Sequence, residues 1–96
     1  MPKPQAADAA CTLNPSAGND NFVCDSATSG PLTDLAGNNA LTFPANGSGR
    51  INGNVTFGAG VDTVNMTSGT VAGEVNQGDG ADSFTISAGQ VSGAVS

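Results

Sequence analysis

A repeat with a period of about 20 residues limits the folds open to this chain more than any other feature. The phrase Ile51-Asn-Gly-Asn-Val55 returns as Val71-Ala-Gly-Glu-Val75 and, after the same interval, as Val91-Ser-Gly-Ala-Val95. Between these copies, Gly58-Ala-Gly-Val-Asp-Thr-Val-Asn-Met66 is matched at this interval by Gly78-Asp-Gly-Ala-Asp-Ser-Phe-Thr-Ile86. A gapless fixed period is typical of repeat architectures, in which each repeat forms one structural unit.

A weaker form of the second phrase extends the repeat towards the N-terminus. Gly18-Asn-Asp-Asn-Phe-Val-Cys24 and Gly37-Asn-Asn-Ala-Leu-Thr-Phe43 keep its order of glycine, Asp or Asn, and alternating apolar residues. The interval between the second and third Asp or Asn positions is longer than the other two intervals, so we place an insertion in 44–49. The sequence therefore indicates four coils, the first irregular, with the start of a fifth at Val91. The Asp or Asn positions are Asp20, Asn39, Asp62 and Asp82.

Each repeat contains two short runs of alternating apolar residues, which is a β-strand pattern. In-register stacking of coils, about 4.8 Å apart, explains why the period has no gaps. We therefore predict an all-β parallel β-helix (β-solenoid) of about four coils, in which one coil cannot bury its apolar face alone. The outward side chains should include Thr56, Thr63, Asn65, Ser83 and Thr85. The predicted stacking core is Ile51, Val55, Val64, Met66, Val71, Val75, Phe84, Ile86, Val91 and Val95, extended by Phe22, Cys24, Leu41 and Phe43.

The glycines have two predicted roles in such a stack. Gly53, Gly73 and Gly93 lie between two inward positions, where a side chain would crowd the corner or the opposite wall. The turn glycines are expected to take backbone conformations with positive φ. These turn glycines are Gly58, Gly60, Gly69, Gly78, Gly80 and Gly89.

Cys11 and Cys24 are the only cysteines, and the chain has no His with which they could form a metal site. A disulfide between them indicates an oxidising compartment; two free thiols in a cytosolic protein are the alternative. We divide the chain into an expression remnant or disordered start (1–10), a disulfide-linked N-terminal cap coil (11–30), and solenoid repeats truncated at the C-terminus (31–96).

Composition narrows the functional classes. Lys3 and Arg50 are the only cations and the net charge is −6, whereas nucleic-acid binding needs clustered Lys and Arg. No apolar run approaches the roughly 20 residues of a membrane helix. The chain has no His, no Tyr and one Glu, so most catalytic groups are missing and we assign no catalytic residue. Polysaccharide cleavage by Asp79 and Asp82 is a minor enzymatic alternative.

The phrase Gly-x-Gly-x-Asp-x-Val-x-Met, with its Val-x-Gly-x-Val partner, resembles the passenger regions of bacterial autotransporters and related large surface adhesins. The resemblance covers about residues 17–96. It implies a β-solenoid on the outer surface of a Gram-negative bacterium. It also implies a secreted, non-enzymatic structural or adhesive module at the N-terminal part of a passenger, with a host or cell-surface ligand.

A second resemblance concerns calcium. Phe57-Gly-Ala-Gly-Val-Asp-Thr-Val64 and Gln77-Gly-Asp-Gly-Ala-Asp-Ser-Phe84 are similar to the calcium-binding Gly-Gly-x-Gly-x-Asp-x-apolar nonapeptide, but one residue short. This alternative is a calcium-stabilised repeat module with candidate ligands Asp62, Asp79 and Asp82. The competing interpretation needs no cofactor: the Asp and Asn side chains form a ladder of hydrogen bonds to turn amides.

The C-terminal end suggests a partner. Ser96 follows shortly after Val91, where the fifth coil is predicted to begin, so the last coil should expose unpaired backbone groups and apolar side chains. Because such an edge invites pairing, we predict self-association through the C-terminal coil.

Overall fold

A computed structural model describes Cys11, Leu13 and residues 15–96; the predicted disordered start at 1–10 lies outside this part of the chain. The described residues form nine β-strands and no helix, and therefore no helix that could span a membrane. The strands are β1 (Asp20–Val23), β2 (Thr28–Ser29), β3 (Leu32–Asp34), β4 (Asn39–Phe43), β5 (Arg50–Ile51), β6 (Val55–Phe57), β7 (Thr63–Val71), β8 (Val75–Asn76) and β9 (Ser83–Val91).

All strand pairings are parallel and they build two sheets. The six-stranded sheet contains β1, β4, β7 and β9 in a row; β5 also pairs with β7, and β2 pairs with β5. The three-stranded sheet has the order β3-β6-β8. Each circuit of the chain visits the six-stranded sheet and then the three-stranded sheet. The predicted all-β parallel β-solenoid of about four coils is confirmed.

The end of the chain differs from the prediction in its coil assignment. Val91 pairs with Val71 in the third coil, and Val95 forms a parallel bridge with Val75. The segment from Val91 to Val95 therefore completes the fourth coil and does not begin a fifth.

Like side chains stack in four apolar columns. The interior between the sheets is narrow, and Phe22 from one sheet stacks on Phe57 from the other with ring centroids 6.3 Å apart. The columns are Phe22-Leu41-Val64-Phe84, Phe43-Met66-Ile86, Ile51-Val71-Val91 and Leu32-Val55-Val75-Val95.

Four members of the predicted stacking core are not fully buried. Ile86 and Val95 are exposed, and Phe84 and Val91 are only partly buried. These residues stack in the expected columns, but they belong to the fourth coil, which is the last coil of the described residues.

The register locates the insertion. Phe43 pairs with Met66, and Arg50 pairs with Thr70. The first pair is more widely separated along the chain than the second, although both pairs join the same two coils. The additional residues of the second coil therefore lie between Phe43 and Arg50, as the sequence predicted. Asn46 within this loop has a positive φ of 64°, a conformation that Asn tolerates better than most residues.

Gly53, Gly73 and Gly93 lie in the bends between the two sheets, and crowding there runs along the stack. A Cβ on Gly53 would lie 2.5 Å from Pro31 Cγ in the preceding coil, and one on Gly93 would lie 2.9 Å from Gly73 O. A side chain would therefore crowd the corner, as predicted, but against the preceding coil and not against the opposite wall.

The positive φ expected of the turn glycines is found at Gly69, Gly78, Gly80 and Gly89 but not at Gly58 or Gly60. A Cβ on Gly60 would meet the carbonyl oxygen of Gly37 in the preceding coil. Close approach between coils therefore requires glycine even where the backbone conformation does not.

Cys11 and Cys24 form the predicted disulfide. Both are buried, and Cys11 belongs to the apolar core. A bridge across 13 positions limits the unfolded chain and stabilises the fold by about 3 kcal/mol.

We expect reduction of this disulfide to lower the free energy of unfolding by about 3 kcal/mol, measured by urea denaturation with and without reductant. The double variant Cys11→Ser/Cys24→Ser is the control, because its stability should not respond to reductant. A wild-type chain that is equally stable with and without reductant would contradict a stabilising role for the bridge.

Candidate functional site

The turn before each strand of the β1-β4-β7-β9 row carries an Asp or Asn, and these side chains connect the coils. Asn39 Oδ1 accepts a hydrogen bond from the backbone N–H of Asp20 (3.2 Å). Asp62 Oδ1 accepts from the N–H of Asn39 (2.9 Å), and Asp82 Oδ1 accepts from the N–H of Asp62 (2.8 Å). We call these four residues the acidic ladder. The side chains of Asn39, Asp62 and Asp82 each reach back one coil to a backbone amide, as the ladder interpretation predicted, whereas Asp20 in the first coil accepts from Ser16.

A second ladder in the same turns runs in the opposite direction. Asn19 Oδ1 accepts from the N–H of Asn38 in the next coil (2.7 Å), and Asn38 Oδ1 accepts from the N–H of Val61 (2.7 Å). This second ladder was not predicted from the sequence. Its only signal was the Gly-Asn pair that precedes Asp20 and Asn39 in the first two coils.

Two carboxyl groups of this region are buried with one oxygen unpartnered. Asp34 and Asp62 each accept one backbone hydrogen bond through Oδ1, from Ala36 and Asn39 respectively, while each Oδ2 has no partner. Burial is the main cause that raises the pKa of both groups. An unpartnered buried carboxylate oxygen is costly, so both groups favour the protonated form.

Each buried carboxyl is close to a less buried one. Hydrogen bonds from the hydroxyl and backbone N–H of Ser16 lower the pKa of Asp20, while repulsion by Asp20 contributes to the raised pKa of Asp34. Asp82 likewise contributes to the raised pKa of Asp62. In both pairs the negative charge of the less buried carboxylate disfavours ionisation of the buried one.

Two buried side-chain amides also form hydrogen bonds next to these carboxyl groups. Gln77 Nε2 donates to the carbonyl oxygens of Asp62 (3.1 Å) and Ser83 (2.7 Å). Asn39 Nδ2 donates to the carbonyl oxygens of Asp34 (3.3 Å) and Ala36 (3.1 Å). These bonds tie the turns to the two sheets.

The structure does not gather the calcium candidates into one site. Asp62 and Asp82 are neighbours in the acidic ladder, whereas Asp79 is exposed on its turn. Within Cys11, Leu13 and residues 15–96, no group of three His, Cys, Asp or Glu side chains is arranged to hold a metal. Calcium binding stays a prediction, which an unfolding midpoint measured with calcium and with EDTA tests.

The raised pKa of Asp62 predicts a pH-dependent stability. The folded chain binds this proton more tightly than the unfolded chain, whose pKa is near 3.8. Below pH 3.8 the carboxyl is protonated in both states, so it costs no more stability than a neutral side chain would. The free energy of unfolding then falls as the pH rises through the folded-state pKa. Asp62→Asn keeps the acceptor for the Asn39 amide and removes the charge, so we expect it to stabilise the fold at neutral pH by about 1–3 kcal/mol.

This gain should disappear below pH 3.8, where the wild-type group is also neutral. Urea denaturation at both pH values measures the effect. Asp79→Asn removes the same charge from an exposed position and should change stability little at either pH. A destabilised Asp62→Asn at neutral pH would contradict the conclusion that burial of this carboxyl raises its pKa and costs stability.

The outer surface of the β1-β4-β7-β9 row is flat and polar. Its side chains form two columns that cross all four coils and contain no charged residue. Parallel strands place successive members of a column about 4.8 Å apart. Thr63, Asn65, Ser83 and Thr85 are exposed, and Thr42 is half-buried. We define the polar face as the columns Asn21-Ala40-Thr63-Ser83 and Val23-Thr42-Asn65-Thr85.

A deep binding pocket is not part of this geometry, because no pocket is found in the described residues. The two polar regions that the described residues form are the acidic ladder and the polar face. Comparison of the chain with models of known families, with curated proteins and with solved structures gives no match.

Proposed function

We propose that this chain is a non-enzymatic structural and adhesive module of a secreted bacterial surface protein of the autotransporter-passenger type. The observation that carries the proposal is the polar face. In each of its two columns, in-register stacking places uncharged hydroxyl or amide groups in three of the four coils, and Ala40 or Val23 occupies the remaining position. A flat array of this kind offers many weak hydrogen bonds to an extended ligand, and their sum can produce strong attachment.

Two further observations support a role outside the cell. The Cys11–Cys24 disulfide is a bond that persists in oxidising compartments. The hydrogen-bond ladders connect neighbouring coils through side chains, in addition to the backbone pairing of the strands. A rigid, short-looped stack suits a protein that must hold a binding surface away from its anchor.

Adhesion is tested by the binding of the oxidised chain to a printed array of bacterial and animal glycans. The variant Thr42→Ala/Asn65→Ala/Thr85→Ala removes one column of polar groups from the polar face. The matched control, Thr33→Ala/Thr56→Ala/Asn76→Ala, removes the equivalent column from the outer surface of the three-stranded sheet.

We expect the wild-type chain and the control to bind the same glycans and the polar-face variant to lose at least about tenfold in apparent affinity. Far-ultraviolet circular dichroism of each variant establishes that the fold is retained. Absence of binding by the wild-type chain, or an equal loss in both variants, would reject an adhesive polar face.

The structural part of the proposal has a separate test. We expect proteinase K to degrade the oxidised chain slowly, because short loops and paired strands leave little unfolded chain to cleave. Reduction of the disulfide should speed this degradation. Rapid and equal degradation of the oxidised and reduced forms would reject a rigid extracellular module.

A further inference from the structure

Two asparagines of the chain are followed directly by glycine, in Asn46-Gly47 and Asn52-Gly53. Glycine has no side chain to hinder its backbone nitrogen, which can attack the side-chain amide carbon of the preceding asparagine. The nitrogen loses its proton, ammonia leaves, and a cyclic imide forms; water then opens the imide to aspartate or isoaspartate. Both asparagines are exposed to solvent, so the freedom of the backbone at each one decides whether this ring can close.

The backbone at Asn52 is held by the coils on both sides. Its N–H donates to the carbonyl oxygen of Ser29 in the preceding coil (2.7 Å), and the carbonyl oxygen of Gly53 accepts from Gly73 in the next coil (3.0 Å). A Cβ at Gly53 would lie 2.5 Å from Pro31 Cγ, so this bend has little room in which to turn. Ring closure at Asn52 therefore requires contacts with two neighbouring coils to break.

The backbone at Asn46 is held only by a local turn. Asn46 lies in the insertion at 44–49, between the end of β4 and the start of β5, and has a φ of 64°. The attacking nitrogen is restrained by a hydrogen bond from the Gly47 N–H to the carbonyl oxygen of Pro44. This bond is 3.2 Å long, at the long end of the usual range. Ring closure at Asn46 therefore requires one weak turn to open.

The rest of the second coil can keep its contacts when this turn opens. Phe43 before the insertion and Arg50 after it both pair with the next coil. The insertion is also anchored after the reacting pair, because the Ser48 N–H donates to the carbonyl oxygen of Asp25 (2.6 Å). The movement that the reaction needs is therefore confined to 45–46, which are both exposed.

We propose that Asn46 is a site of spontaneous deamidation in the folded chain, whereas the stack protects Asn52. This goes beyond the proposed adhesive function and does not depend on it. The product carries one additional negative charge, and its isoaspartate form adds a methylene group to the main chain. The insertion takes up this added length without a change of register, because the strands on either side of it keep their partners.

Storage of the oxidised chain at neutral pH, followed by mass spectrometry, tests the proposal. After the stored chain is reduced and unfolded, trypsin cleaves it after Arg50, which places Asn46 and Asn52 in different fragments. The mass gained when an amide becomes a carboxyl group is measured for each fragment, and fragmentation locates the converted residue. A second sample, stored in urea with reductant, gives the rate at each asparagine without the fold.

In the unfolded sample we expect both asparagines to convert at similar rates. In the folded sample Asn46 should convert at close to its unfolded rate, whereas Asn52 should convert at least about tenfold more slowly than when unfolded, because it reacts only after local opening. Circular dichroism of the stored chain should be unchanged. In Asn46→Gln, whose longer side chain closes a ring slowly, the fragment that ends at Arg50 should keep its mass.

A folded chain in which Asn46 survives as long as Asn52 would overturn the proposal. Conversion of Asn52 as fast as Asn46 in the folded chain would also overturn it, since the stack would then give no protection. A mass gain in the fragment that ends at Arg50 of Asn46→Gln, equal to that of the wild-type chain, would place the reaction at another residue.

Discussion

Replacing Phe43 by alanine should lower the free energy of unfolding by about 3–5 kcal/mol, which is the usual cost of deleting a buried Phe ring. Phe43 is fully buried in the second coil, where its ring lies so close to Gly69 of strand β7 that a Cβ at Gly69 would clash with it. The cavity would be closed by coils on both sides and could not be filled by solvent. Since single domains are stable by only about 5–15 kcal/mol, this variant should be close to unfolded at ambient temperature.

Phe84→Ala is the matched control for Phe43→Ala. Phe84 is only partly buried in the fourth coil, so its removal deletes less buried surface and leaves no closed cavity. Urea denaturation should show a clearly smaller loss of stability than for Phe43→Ala. Similar losses in the two variants would mean that Phe43 and Phe84 have similar burial, contrary to the stacked arrangement.

Replacing Gly78 by alanine should have the second-largest effect among single substitutions. Gly78 has a φ of +72°, which costs an L-residue roughly 1–2 kcal/mol. The added Cβ would also meet the carbonyl oxygen of Gly58 and lie 2.9 Å from Phe57 O, and overpacking of this kind costs about 1–3 kcal/mol. We expect a combined loss of about 2–5 kcal/mol, measured by urea denaturation.

Gly30→Ala gives the opposite sign in the same measurement. A Cβ at Gly30 has no neighbour within 4 Å, and this backbone position does not have a positive φ. Alanine should therefore stabilise the chain by about 0.4–1 kcal/mol, because it restricts the unfolded state. If both variants lose the same stability, the close approach of coils at Gly78 is not the cause.

The period of the sequence was sufficient to predict which residues share a column. Val55, Val75 and Val95 occupy equivalent positions in three repeats, and backbone pairing between parallel strands places them over one another. The insertion in 44–49 was also predicted from the sequence, because it makes the interval between Asn39 and Asp62 longer than the other two intervals of the repeat.

The period could not reveal a position whose chemistry changes between coils. Asp34 pairs with Phe57. In the next coil the equivalent position is Gln77, which follows Asn76, the partner of Thr56. A column that combines carboxyl, phenyl and amide groups has no recurring signal, so the buried carboxyl of Asp34 was missed. The direction of crowding at Gly53 was missed for a related reason: the sequence shows that space is limited but not which atoms limit it.

The acidic ladder shows that one sequence motif is compatible with two roles, calcium binding and hydrogen bonding to backbone amides. Asp62 and Asp82 lie in phrases that resemble a calcium-binding repeat, yet their Oδ1 atoms accept backbone hydrogen bonds in this structure. One Asp per turn can satisfy an amide of the adjacent coil, whereas calcium normally takes six to eight oxygen ligands. The number of oxygens brought together, and not the motif, separates the two interpretations.

Nuclear Overhauser contacts between the methyl groups of a valine-labelled sample test the in-register stack most directly. Val55 should show a contact with Val75, Val75 with Val95, and Val71 with Val91, because each pair lies on adjacent parallel strands. Missing contacts between these pairs, or backbone contacts typical of antiparallel strands within the same chain, would contradict the solenoid and every role assigned to its faces.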